Sequence, residues 1–127
     1  MTKNYFSKYK IKIKNIDDLI KIFKKNNIKT KTVMCHGVFD LVHPGHIRHL
    51  AYAKSKADIL VVSLTADRHI KKGIYRPHVP ENLRALNLAA FEMVDYVIID
   101  KNSTPLKNLS ILKPDFFAKG FEYTSSG

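Results

Sequence analysis

Four short apolar runs, each followed or preceded by a stretch long enough to be a helix, leave this chain very few architectures. The runs are Thr32 to Val38, Ile59 to Leu64, Tyr96 to Ile99 and Phe116 to Ala118. The first two show no alternation of polar and apolar residues, the pattern of strands buried on both faces. Pro44 to Lys56, Glu81 to Phe91 and Pro105 to Leu112 read as the intervening helices. Pro44 suits a first helical turn, and Ile47, Leu50, Ala51 and Ala53 are expected to face inward. Strand and helix alternating at this spacing predict an α/β fold built on a parallel sheet. Ligands of such sheets bind at the carboxyl ends of the strands. Residues 36–46, 65–76, 100–105 and 119–123 are therefore where a site is expected.

Ahead of the first strand, residues 1–31 divide into a basic leader and an amphipathic helix. The leader, residues 1–14, is expected to be extended at Lys10-Ile-Lys-Ile-Lys14, where polar and apolar residues alternate. Asp17 and Asp18 open the helix, Ile16, Leu19, Ile20 and Phe23 fall at helical spacing, and it ends near Asn26-Asn27. Residues 32–127 then form the main domain, and 127 residues leave little room for a second. Ten of the lysines lie within residues 3–31 and the formal net charge is +11, which suits polyanionic partners. The lysines read first as a solvated face. No nucleic-acid partner is expected, because neither interleaved aromatics nor a helix-turn-helix accompanies the charge. No apolar run approaches the ~18 residues of a membrane span, so no membrane partner is expected either. The single cysteine, Cys35, forms no internal disulfide and points to the cytoplasm.

The segment after the first strand concentrates the chemistry. Gly37-Val-Phe-Asp-Leu-Val-His43-Pro-Gly-His46 runs from the strand end into the next helix. Gly37 reads as the residue that lets the backbone turn, bringing the amides of Val38 and Phe39 to face an anion. Gly45 allows a bulky phosphate to come close, and the helix start adds unpaired N–H groups and partial positive charge. His43 and His46, three apart, can point at the same phosphate oxygens. The rival reading makes them zinc ligands completed by His49, His36 or Cys35. Cys35 and His36 face opposite sides of a strand, which weakens that set, and no protein-bound metal is predicted. Cys35 itself reads as a small core residue.

These residues also carry a family resemblance. His43-Pro-Gly-His46 resembles the HxGH signature of the nucleotidyltransferase superfamily, and Gly37 to His46 is similar to its cytidylyltransferase-like branch, which includes glycerol-3-phosphate cytidylyltransferases. Arg76-Pro77-His-Val-Pro-Glu81-Asn-Leu-Arg84, Val94-Asp95-Tyr-Val, Lys113-Pro-Asp115 and Lys119-Gly120-Phe-Glu122-Tyr resemble the adenylyltransferase half of bifunctional ADP-heptose synthases. The likeness covers about residues 32–123 and implies a Rossmann-like parallel sheet with helices on both faces. It implies that His43 and His46 are catalytic, binding the triphosphate and stabilising charge at the α-phosphorus and the departing pyrophosphate. Lys72 would join them, with Lys71 or Lys72 reaching the phosphates from the other side; plain solvated charges are the alternative for both. Val38, Phe39, Asp40 and Gly45 would line the nucleotide, Val38 and Phe39 holding the α-phosphate through their backbone. Arg84 would organise the site or meet a phosphate. Lys119, Gly120 and Glu122 would lie beside the nucleoside, although a lysine ending a strand also blunts a sheet edge.

The resemblance implies a nucleotidyltransferase that uses Mg²⁺ with ATP or CTP and a phosphorylated sugar or polyol, releasing pyrophosphate. One departure stands out. In the family a Ser/Thr-rich segment opens a final helix and grips the triphosphate, whereas here Thr124 to Ser126 follow the fourth strand directly. The expectation is a sheet lacking its last strand and helix, with an edge open to a homodimer partner. A module that holds a nucleotide without turning it over is the alternative.

Overall fold

The computed structural model describes residues 6–25, 29–70 and 77–118. Helices α1 (Ser7–Lys10) and α2 (Ile16–Lys25) precede strand β1 (Thr32–Gly37). Helix α3 (Pro44–Lys54), strand β2 (Ile59–Thr65), a 3₁₀ turn (Asp67–His69) and helix α4 (Glu81–Ala89) follow. Strand β3 (Tyr96–Asp100), helix α5 (Leu106–Leu112) and strand β4 (Phe116–Ala118) complete the described chain. The strands form one sheet in the order β3-β2-β1-β4, and every pairing is parallel. The α/β fold with helices on both faces is as the sequence predicts.

Side-chain alternation along the strands sends residues to two separate cores. On one face Val33, Cys35, Leu60, Val62, Leu64 and Val97 meet Leu50 and Ala53 of α3 and Ala85, Leu88 and Ala89 of α4. On the other, Met34, Val61 and Ile98 meet Leu19 of α2 and Leu112 of α5. The helical stripe read on α2 holds, since Ile16, Ile20 and Phe23 flank buried Leu19. On α3 the stripe is narrower than expected. Leu50 and Ala53 are buried, but Ile47 and Ala51 are exposed. Ile47 instead lines a shallow groove with Leu41, Val42 and Phe91.

The leader also departs from expectation. Lys10 ends a helical turn, Ser7–Lys10, and Ile11 and Lys12 continue as a turn rather than an extended run. Only Ile13 behaves as strand, bridging Val97 in parallel. Val97 N–H donates to the Lys12 carbonyl at 2.9 Å, and Lys14 N–H donates to the Val97 carbonyl at 2.8 Å. Tyr9 and Ile13 pack against the α3/α4 core, and Lys12 Nζ reaches the Phe91 carbonyl at 3.1 Å. Lys8, Lys10, Lys21, Lys24 and Lys25 remain exposed, as a solvated face requires. Tyr9 and Ile13 of the leader thus pack in beside β3, while Lys8 and Lys10 face water. At the opposite edge, β4 pairs with β1 alone among the described residues, and Phe116 and Phe117 are 47% and 39% exposed.

Candidate active site

The turn between β1 and α3 is shaped by two neighbours in an unexpected division of roles. Phe39, not Gly37, takes the left-handed conformation, with φ at 52°. A non-glycine residue there is strained by roughly 1–2 kcal/mol. Gly37 serves by its missing side chain, because a Cβ at that position would stand 3.0 Å from the Phe39 ring. The ring is buried and also lies 5.5 Å from the His46 imidazole, centroid to centroid. The turn that sequence reading assigns to the glycine is therefore held by the aromatic residue folded back over it.

His43 caps α3 with its imidazole, a role usually filled by Ser, Thr, Asp or Asn. His43 Nδ1 accepts from Gly45 N–H at 3.0 Å, and His46 Nδ1 accepts from His43 N–H at 3.2 Å. The two rings are 4.1 Å apart. This reciprocal cap fixes the chemistry of both. A nitrogen that accepts carries no proton, so each neutral ring holds its proton on Nε2. The sequence brought the histidines to one helix start, and the structure brings them into contact.

Asp40 and Arg84 are buried and committed to protein partners. Asp40 accepts from His78 N–H at 3.0 Å, from His78 Nδ1 at 3.1 Å and from Val79 N–H at 2.9 Å. It thereby ties the segment entering α4 to the end of β1. Arg84, wholly buried on α4, donates to three carbonyls: Val79 and Val38 at 2.8 Å and Thr65 at 2.7 Å. Its remaining arm pairs with Asp67 at 2.5 Å. One guanidinium thus links the loops after β1 and β2 to the loop before α4. A structural arginine was the further alternative for Arg84 in the sequence, and its hydrogen bonds all go to protein groups that shape these loops. Asp40, grouped with the nucleotide contacts in the sequence, likewise stands behind the loop it shapes. Val38 and Gly45 are half-buried at the mouth. Lys71, Lys72, Lys119, Gly120 and Glu122 lie outside the described residues.

Sequence reading passed over a polar row on the α2/α5 face. His36 Nδ1 lies 2.8 Å from Ser63 Oγ, and its Nε2 lies 3.3 Å from Thr65 Oγ1. Thr65 is in register with Asp100, the last residue of β3. Burial lowers the His36 pKa below 6.5, partly opposed by the charge of Asp100. Polar residues within one position of the ends of three adjacent strands, all on one face by period-two alternation, were the available signal. Cys35, on the opposite face, is a core residue whose thiol is pushed up to about 12 by burial. It therefore supplies no thiolate nucleophile. No group of three or more His, Cys, Asp or Glu placed to hold a metal occurs among the described residues. No helix among them is long and apolar enough to cross a membrane.

Comparison with known proteins bears on the family and the fold. The family model described as cytidylyltransferase-like matches residues 34–126. The bifunctional protein HldE of Campylobacter jejuni (strain RM1221) is 46% identical over 114 residues, which is 88% of this chain and 24% of that protein. The bifunctional protein HldE of Geobacter metallireducens is 42% identical over 119 residues, 91% of this chain and again 24% of the relative. The chain spans about a quarter of the length of these curated relatives. Among solved structures, the lipopolysaccharide core biosynthesis protein from Thermoplasma volcanium GSS1 superposes with a TM-score of 0.63 at 33% identity. That match covers 69% of this chain and 72% of the other. On the family match and on the fold that the solved structure shares, the chain belongs to the cytidylyltransferase-like family.

Proposed function

We propose that this chain transfers AMP from ATP, or CMP from CTP, to a sugar phosphate or polyol phosphate and releases pyrophosphate. The observation that carries the reading is the reciprocal His43–His46 cap at the start of α3. It supplies two neutral imidazoles, each with its proton on Nε2, beside a helix terminus that favours negative charge. A phosphate oxygen of the acceptor attacks the α-phosphorus in line. The new P–O bond forms as the bond to the bridging oxygen breaks, and pyrophosphate leaves with that electron pair. The phosphate monoester is already nucleophilic, so positioning and charge stabilisation dominate. His43 and His46 donate to the phosphate oxygens where charge accumulates.

Val38, Phe39 and Gly45 line the phosphate path, with Asp40 and Arg84 fixing the backbone behind them. By resemblance, Lys71 or Lys72 would contact the phosphates from the other side, and Lys119, Gly120 and Glu122 would border the nucleoside. Mg²⁺ suits a site without a carboxylate cage when it arrives on the triphosphate, and there it would neutralise phosphate charge. ATP is favoured over CTP by the likeness around Arg76-Pro77 and Lys119-Gly120. The test is calorimetric titration of ATP against CTP with Mg²⁺, followed by pyrophosphate release with a panel of phosphorylated sugars and polyols. Nucleotide binding without pyrophosphate from any acceptor would replace the transferase with a nucleotide-holding module. A steep loss of DNA or RNA affinity with salt would instead mark a nucleic-acid binder.

A further inference from the structure

The carboxyl ends of β1, β2 and β3 hold a carboxylate that the rest of the structure leaves unanswered. Asp100 is wholly buried. Its Oδ1 accepts from Asn102 N–H at 2.8 Å and from Asn102 Nδ2 at 2.9 Å. Its Oδ2 is buried with no hydrogen-bond partner. A buried carboxylate oxygen without a partner forgoes the hydrogen bonds it would make to water, so such an atom calls for an explanation. The surroundings are those of a ligand site rather than of a core. His36, Ser63 and Thr65 share the sheet face with Asp100, and buried Asn108 adds an amide from α5. Their inventory of hydroxyls, amides, a carboxylate and a neutral imidazole is that of a surface for reading hydroxyl groups. His36 and Thr65 are half-exposed, so the row opens toward the strand ends.

We infer that Asp100 Oδ2 accepts a hydroxyl of the phosphorylated sugar or polyol, with His36, Ser63 and Thr65 forming the wall against which that molecule is aligned. This rests on the nucleotidyl-transfer reading above. The row runs from β1 toward β3, and β4 lies on the other side of β1. Asn102 holds Oδ1 and leaves Oδ2 as the oxygen that a ligand hydroxyl would satisfy. Discrimination follows, because an acceptor lacking the hydroxyl leaves the carboxylate unpaired.

The test compares the wild-type chain with Asp100→Asn, which keeps Oδ1 but replaces the accepting Oδ2 by a donor. Imidazole signals of His36 are followed by NMR while mannose-1-phosphate, glycerol-3-phosphate, inorganic phosphate or Mg-ATP is added. The two organic phosphates are expected to shift His36, and inorganic phosphate and Mg-ATP to leave it in place. Asp100→Asn should weaken organic-phosphate binding by roughly 10- to 100-fold, the size of one lost hydrogen bond to a charged group. Its melting temperature should rise, since an unpaired buried charge is removed; a purely structural carboxylate would make it fall. The inference is overturned if Mg-ATP alone moves His36, if neither organic phosphate moves it at millimolar concentration, or if the variant binds both unchanged. Sugar-phosphate binding that depends on Asp100 without pyrophosphate release would defeat the transfer reading and leave this subsite standing. Pyrophosphate release unaffected by Asp100→Asn would do the reverse.

Discussion

On the proposed transfer reading, His43 holds two roles that one substitution can separate. As a helix cap its Nδ1 accepts a backbone N–H, and as a phosphate donor it offers Nε2–H. Asparagine is among the best N-caps, so His43→Asn should keep the melting temperature near wild type while lowering turnover by roughly 10²–10³-fold. His43→Ala should lose the same activity and also about 0.5–2 kcal/mol of stability. Pyrophosphate release and thermal denaturation read the two effects; normal turnover in His43→Asn would remove the imidazole from the mechanism. His36 gives a different signature. Its folded pKa lies below 6.5, so the unfolded chain takes up the proton more readily. Stability from this residue is complete above that value and is lost as pH falls through about 6.5 toward the folded pKa. His36→Asn should therefore flatten the decline in melting temperature between about pH 7.5 and 5.5 relative to wild type. An unchanged slope would show that the ring is not buried in its neutral form. The pairing of His43 with His46 was legible from their spacing, but the cap that assigns their protons was not, because it depends on ring rotation. Arg84 shows the same limit. A basic residue on a helix signals charge, and only packing reveals that its donors go to three carbonyls and Asp67.

Strands read from continuous apolar runs survived the step from sequence to structure almost residue for residue. β4 occupies Phe116–Ala118 as read, and β2 runs Ile59–Thr65, one residue longer than the run Ile59 to Leu64. Such runs are unambiguous because helices cover both sheet faces. The leader failed the same reading because its apolar residues are scattered among lysines, and what orders them is a distant strand, β3. Its contribution should be measurable. Removing residues 1–14 deletes two backbone hydrogen bonds to Val97 and the packing of Tyr9 and Ile13. A loss of about 3 kcal/mol is expected, from roughly 1 kcal/mol per hydrogen bond and partial burial of two side chains. Denaturant unfolding measures it, and a shortened chain as stable as the full one would mean the docking contributes nothing. Nucleotide affinity of the folded fraction should stay within about twofold, since the leader meets the edge of β3 far from the α3 cap.

At the scale of the whole molecule, the two sheet edges differ in kind. The β3 edge is capped by the leader, whereas β4 presents Phe116 and Phe117 beside an edge with no described strand against it. Exposed apolar edges recruit further strands, so a second copy of the chain is the expected partner in solution. Sedimentation should show concentration-dependent association that Phe117→Lys abolishes, and a monomer at every concentration would exclude it. The two hydrophobic clusters differ in another way. The one beneath α3 and α4 carries the histidine cap, and the one beneath α2 and α5 carries the row ending at Asp100; the plane of the sheet keeps them apart. Descendants of such a chain are free to drift on one side while the other stays under selection. If the proposed transfer reading holds, new preferences for the acceptor could then be inherited without relearning how to hold a triphosphate.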